Sequence, residues 1–248
     1  MQALITGNSS GLGRGLTRVG LEKGWTVYGT SRRGSDLDHE RLHDVRCDLS
    51  ELEAVGDALA ELLGPTPELD LVVLNAGMLG EIGTMPETPV ADLKAIMEVN
   101  VWANKVILDW LHRHAGRVDQ VVMISSGASV LGNRGWSGYA LSKAALNILA
   151  RLYSHEFPDS HLSALAPGLV DTALIDEVLE VPDPDAFPGI RRIEEARGTE
   201  RMPGPVEAAR KVIGVLPQLR DFPSGDFVDI RQILAPREYE ELMKARNR

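Results

Sequence analysis

The chain has 248 residues, of which 44% are apolar and 25% charged, with a formal net charge of −10. Those proportions suit one globular α/β unit and exclude a disordered or coiled-coil chain. The acidic balance argues against a nucleic-acid or anionic-membrane partner, because Arg32-Arg33 and Arg191-Arg192 are only pairs and no longer basic run exists.

The first apolar run, Ala3-Leu4-Ile5, predicts a strand that enters a glycine-rich turn and then a helix from Leu12 to Lys23, stopped at Gly24. With the strand starting almost at Met1 and no charged and apolar leader, the expectation is a cytoplasmic protein. No apolar run reaches the roughly 20 residues that span a bilayer. Trp25 to Thr30 predicts a second strand and Val45 to Cys47 a short third. Cys47 is the only cysteine, which excludes an intrachain disulfide, and it reads as a small strand residue rather than a nucleophile. An acidic amphipathic helix follows over Glu51 to Leu63.

Leu69 to Leu74 is a continuous apolar strand ending at Asn75-Ala76-Gly77. Val90 to Leu111 is a long helical stretch, Val118 to Ile124 a strand closed by Ser125-Ser126-Gly127, Gly138 to Phe157 a helix stopped by Pro158, and Leu162 to Ala166 a strand ending at Pro167-Gly168. The segment 173–205 is rich in proline and acid and reads as an insertion or lid over a substrate. Ser224 to Ile230 looks like a last strand, and 236–248 like a helical tail. Strands without polar alternation are buried on both faces, and helices between them imply right-handed crossovers. The expected fold is therefore a single-domain α/β, Rossmann-type, doubly wound parallel sheet of about seven strands flanked by helices. In such sheets ligands bind at the carboxyl ends of the strands, where Gly7, Asn75, Ser126 and Pro167 fall.

Three groups of residues carry candidate chemistry. Thr6-Gly7-Asn8-Ser9-Ser10-Gly11-Leu12-Gly13 joins strand to helix, and such a loop brings backbone N–H groups and a helix N-terminus to a pyrophosphate. A plain turn before a helix is the other reading, and a strand-ending turn is likewise the plain reading of Asn75-Ala76-Gly77. Tyr139 and Lys143 stand four apart and share one helix face. An ammonium beside a phenol favours phenolate, lowers the tyrosine pKa and so makes a proton-transfer group, with Ser126 placed to hydrogen-bond the same substrate oxygen. Taken alone, a helical Tyr-Lys pair also fits a half-buried surface.

Together these features resemble the short-chain dehydrogenase/reductase family from Thr6 to Ile230. The glycine motif is matched by Thr6, Gly7, Gly11 and Gly13, the Asn-Ala-Gly motif by Asn75, Ala76 and Gly77, and the helix asparagine by Asn100. The Tyr-x-x-x-Lys motif is Tyr139 to Lys143, the serine thirteen residues before the tyrosine is Ser126 rather than Ser125, and the Pro-Gly turn is Pro167-Gly168. The resemblance implies roles. Tyr139 is the acid/base, Lys143 lowers its pKa and binds the nicotinamide ribose, Ser126 orients the substrate oxygen, and Asn100 holds a water that relays protons to Lys143. Val170 and Thr172 would touch the nicotinamide amide, and Asp48-Leu49 the adenine. The ending Ser224-Gly225-Asp226-Phe227-Val228-Asp229-Ile230 and the run Ser125 to Ser129 are similar to the sepiapterin and benzil reductase branch. Ser10 departs from members with a basic residue at that position.

An NAD enzyme usually carries an acid at the end of its second strand, about 20 residues past the glycines. Here the stretch is Thr30-Ser31-Arg32-Arg33, and Arg32 suits a 2′-phosphate. NADP(H) is expected, with NAD(H) the alternative, and no metal. The expected function is reduction of a ketone or aldehyde, reversible as alcohol oxidation, with a non-catalytic NADP-binding sensor or scaffold as the alternative. Ala128, Leu131, Trp136 and segment 173–205 would wall the substrate pocket. A homodimer or homotetramer through the helices bearing Asn100 and Tyr139 is the expected assembly.

Overall fold

The computed structural model describes residues 1–181 and 183–246. Its centre is a seven-stranded parallel sheet of order β3-β2-β1-β4-β5-β6-β7. The strands are β1 Gln2–Thr6, β2 Thr26–Ser31, β3 Leu42–Arg46, β4 Glu68–Leu74, β5 Arg117–Ile124, β6 His161–Ala166 and β7 Phe227–Asp229. The chain winds outward from β1 to β3, then returns across β1 to start β4 on the other side. That reversal opens a crevice at the carboxyl ends of β1 and β4.

Successive side chains of each strand enter opposite cores. Leu4, Val72, Leu74, Val121 and Met123 face helices α2 (Leu52–Leu63), α4 (Ala103–His114) and α6 (Ser137–Ser154), and Cys47 lies in the same core. Ala3, Ile5, Val73, Val122 and Leu165 face helices α1 (Gly11–Glu22) and α9 (Pro205–Leu219). Burial on both faces is why these strands read as unbroken apolar runs. Burial also pushes the Cys47 thiol up, away from nucleophile behaviour.

The long helix expected from Val90 is divided. Helix α3 (Val90–Met97) passes through a π-helical turn, Glu98–Trp102, into α4. Helix α6 ends at Ser154, before Phe157. The last strand is shorter than expected, because Asp229 leaves it to cap a short helix, α10 (Ile230–Leu234). Its carboxylate accepts from Arg231 N, and Gln232 Oε1 accepts from Asp229 N at 2.7 Å. The tail forms α11, Pro236–Arg246; the expected last two residues of that segment lie outside the described residues.

Segment 173–205 contains helices α7 (Ala173–Leu179) and α8 (Pro188–Ala196), and its Pro182 lies outside the described residues. Ile175, Val178, Phe187, Ile190, Ile193 and Met202 bury a cluster of their own with Leu79 and Trp136. Such a cluster gives the segment a reason to be ordered by itself rather than only on ligand binding. Among the described residues no helix is long and apolar enough to cross a membrane.

Candidate active site

The glycine loop lies where β1 meets α1. Gly7 and Gly11 have φ of 71° and 51°, and a Cβ added at Gly13 would lie 2.2 Å from the Gly7 carbonyl oxygen. The loop can fold this tightly only without side chains at those positions. Helix α1 begins with no side-chain cap from Ser10, which is exposed, and with no acid in its first turn. Its first N–H groups are thus left for an anion, beside Ser9 and the buried Leu12. Gly13→Ala should lower dinucleotide affinity at least about tenfold and cost about 1–3 kcal/mol through overpacking against backbone. Cofactor titration and thermal unfolding of the variant check both effects.

Strand ends are tied to this loop. Thr6 Oγ1 accepts from the N–H groups of Asn75 and Ala76 at 2.9 and 3.0 Å, and Asn75 Nδ2 donates to Thr6 O at 2.9 Å. On the opposite wall, Gly168 has φ of 80°, and Thr172 stands at the N-cap of α7 without a capping bond. Its methyl lies 3.4 Å from the position of a Cβ on Gly11. Pro167 is half-buried and Val170 buried beside it. The residues expected around both ends of a dinucleotide therefore converge on one crevice.

At the adenosine end, Arg32 is exposed and makes no ion pair with the described residues. Asn8 Oδ1, Thr30 Oγ1 and Ser31 Oγ are buried without a partner among the described residues. Buried polar atoms of this kind ask for a polar ligand. The backbone N–H and hydroxyl of Ser50 hold the Asp48 carboxyl below its usual range. Leu49 is buried in the core, so only its backbone can face an adenine. The donors and space of this crevice fit a nicotinamide dinucleotide.

The proton-transfer residues meet over the end of β5. Ser125 and Ser126 divide two tasks. Ser125 is buried and donates to Asn147 Oδ1 at 2.6 Å, whereas Ser126 is half-exposed and its hydroxyl neighbours the Tyr139 phenol. Ser126 O accepts from Ser129 Oγ at 2.6 Å, and Asn147 Nδ2 donates to Ser129 Oγ, so the loop is pinned to α6. Ala128 N donates to Ser126 Oγ at 3.2 Å. Asn147 was not legible as a site residue, because its partners Ser125 and Ser129 lie 22 and 18 positions away.

Lys143 is 4% exposed, and Nζ donates to Ile124 O at 2.7 Å. Burial lowers its pKa from 10.5 to about 8. Its Nζ lies 5.6 Å from the centre of the Tyr139 ring. The tyrosine departs from the sequence expectation. Burial pushes its phenol up, and the Ser126 hydroxyl only partly offsets this. Desolvation of the phenolate dominates here, and the lysine Nζ donates to the Ile124 carbonyl instead of to the phenol. Tyr139 therefore holds its proton at neutral pH.

Asn100 is fully buried on the π-helical turn. Its Oδ1 accepts from Met78 N at 2.8 Å, and Nδ2 donates to Met78 O and Ser142 Oγ at 2.9 Å each. It thus clamps the loop after β4 to the residue beside Lys143. A Cβ on Gly77 would stand 3.1 Å from Asn100 Oδ1 and 3.5 Å from Lys143 Nζ, so glycine keeps the lysine head open to the crevice.

Trp136 is 8% exposed and packs in the cluster under segment 173–205, its ring centre 6.0 Å from that of Tyr139. Ala128 and Leu131 form α5 (Ala128–Leu131) above Ser126. Arg231 and Asp229, absent from the expected set, border the same loop. A Cβ added at Gly127 would lie 3.6 Å from Arg231 Nη2 and 3.9 Å from Asp229 Oδ2. An Asp-x-Arg sequence at a strand end carries no local signal for such a site.

The short chain dehydrogenase family model matches residues 1–182. A benzil reductase ((S)-benzoin forming) of Bacillus subtilis (strain 168) is 29% identical over 244 residues, covering 93% of this chain and 98% of that protein. A benzil reductase ((S)-benzoin forming) of Saccharomyces cerevisiae is 31% identical over 206 residues, covering 74% of this chain and 77% of that protein. Among solved structures, a short chain dehydrogenase family protein from Francisella tularensis superposes with a TM-score of 0.77 at 21% identity, over 92% of this chain and 96% of that one.

Proposed function

The chain belongs to the short-chain dehydrogenase family, and from that premise we propose an NADPH-dependent carbonyl reductase in which Tyr139 is the proton donor. The observation that carries this reading is the meeting of Ser126, Tyr139 and Lys143 at the end of β5, beside a crevice built for a dinucleotide. The family's oxidoreductase chemistry acts between CH–OH and C=O groups, and the fold binds a nicotinamide cofactor. When bound, the cofactor supplies hydride to the substrate carbon.

The chain's own residues do the rest. Ser126 Oγ orients the carbonyl oxygen, and Tyr139 gives that oxygen a proton. Lys143 sets a positive field under the phenol and reaches the ribose. Asn100 holds the lysine's surroundings in place and is assigned the water that reconnects Lys143 to solvent. Ala128, Leu131 and Trp136 border the substrate, and segment 173–205 covers it as a lid. The relatives named for benzil make that diketone the first substrate to try. The test is a panel of diketones, quinones and aldehydes with NADPH, followed by cofactor absorbance; reduction of none of them overturns the reading.

The cofactor preference rests on Arg32, and on the lack of an acid in the stretch Thr30 to Arg33 at the end of β2. Arg32→Ala should raise the KM for NADPH about 10- to 100-fold, the worth of a charge-assisted bond to a 2′-phosphate, and leave that for NADH within about twofold. Steady-state kinetics with both nucleotides decide this, and an equal change in both overturns the assignment.

The proposed assembly is a homodimer or homotetramer. Trp102 next to α4 and Leu141, Ile148 and Leu152 on α6 are exposed and apolar, which supports a partner copy on that face. A cytoplasmic location is proposed with it.

A further inference from the structure

The carboxylate of Asp229 is 1% exposed and engages Arg231 in a fork. Arg231 Nε donates to Oδ1 at 2.8 Å and Nη2 to Oδ2 at 2.6 Å, while Arg231 N donates to Oδ1 at 3.0 Å. The guanidinium is therefore fixed in orientation, not merely attracted. Nη1 and the second hydrogen of Nη2 find no acceptor among the described residues, and 30% of the side chain is exposed. The open side of Gly127 faces this edge, with Leu131 forming the other boundary. Gly127 directly follows Ser126, so a preorganised donor edge stands one residue from the group that orients the reacting carbonyl.

The charges around it select the ligand. Asp229 neutralises the guanidinium, and Glu238 of α11 adds to the negative surroundings. A carboxylate substrate would meet that field, whereas an uncharged oxygen needs only the spare N–H groups. Resting on the carbonyl-reductase reading, we propose that Arg231 is a specificity-determining residue that hydrogen-bonds the second oxygen of a vicinal dicarbonyl while the first lies at Ser126 and Tyr139. Two oxygens on adjacent carbons are held by two separate donors, so only one is placed for proton transfer. The product is the hydroxyketone, whose remaining carbonyl stays on Arg231.

The test compares benzil with deoxybenzoin, which has the same two rings but one carbonyl. Two variants avoid leaving a buried carboxylate unpaired: Arg231→Lys keeps a charge partner for Asp229 but loses the planar fork, and the double variant Asp229→Asn with Arg231→Gln gives a neutral pair. Thermal unfolding identifies the folded variants. The ratio of kcat/KM for benzil over deoxybenzoin should fall about 10- to 100-fold in the neutral pair, the worth of one bond from a charged donor, and by less in the lysine variant. An unchanged ratio in a folded variant, with both ketones affected alike, overturns the role of Arg231 and leaves the reductase reading intact. Reduction of neither ketone by the unsubstituted enzyme, together with failure of the wider carbonyl panel, overturns that reading and this inference with it.

Discussion

Tyr139→Phe should lower kcat for carbonyl reduction by about 10²- to 10⁴-fold, the usual contribution of a positioned proton donor. Phenylalanine keeps the ring between Trp136 and the lysine head, so packing changes little. The lost oxygen removes a polar neighbour of Ser126, and the Tyr139 hydroxyl has no other polar partner among the described residues. Dinucleotide affinity, followed by fluorescence titration, should stay within about threefold, because Lys143 and the glycine loop remain. Loss of turnover with retained binding is the signature of an acid. Undiminished turnover would remove the mechanism. An unsubstituted protein that binds NADPH without reducing any carbonyl would instead support the sensor reading.

Lys143→Met should abolish turnover and stabilise the fold, an uncommon pair of effects for one substitution. Folding lowers the lysine's pKa from 10.5 to about 8, so below pH 8 both folded and unfolded chains carry the proton, and the folded one bears the full cost of a buried charge. That cost is about 3 kcal/mol. Losing the bond from Nζ to the Ile124 carbonyl returns about 1–2 kcal/mol of it. The expected net gain is about 1–2 kcal/mol at pH 7, read from denaturant unfolding. Between pH 8 and 10.5 the folded lysine is neutral while the unfolded one is charged, so the native protein gains stability as pH rises and the advantage of methionine disappears by about pH 9.5. The same titration should give the unsubstituted enzyme an alkaline fall in kcat/KM for the cofactor centred near pH 8. An advantage of the methionine variant over the unsubstituted protein that is no larger at pH 7 than at pH 9.5 would show that the lysine is not carried at that cost.

Arg231 and Trp136 mark where reading the chain in order stops working. Trp136 stands three residues before the proposed acid and was expected to wall the substrate pocket. The structure also packs it into the cluster of Phe187, Ile190 and Ile193, from which it borders Tyr139, a contact that its place in the chain does not show. Segment 173–205 reads as an insertion or lid because prolines and acids cluster in it. Helix α8 nevertheless begins with Pro188 in its first turn, where proline suits a helix. Arg231 had no motif around it, and its importance comes from the approach of β7 to the loop after β5, two strands away across β6.

By itself the sequence determined the parallel α/β fold, the order of its strands along the chain, and the residues that collect at their carboxyl ends. It could do so because apolar periodicity, glycine conformation and the spacing of Tyr139 and Lys143 on one helix face are local properties. Only the tertiary structure decided that Ser125 is tied to Asn147, how Asn100 is tied to Met78 and Ser142, and that the Tyr139 phenol is raised rather than lowered. Those outcomes depend on desolvation and on partners tens of residues apart, and the direction of a pKa follows from the sum of its surroundings rather than from its nearest charged neighbour.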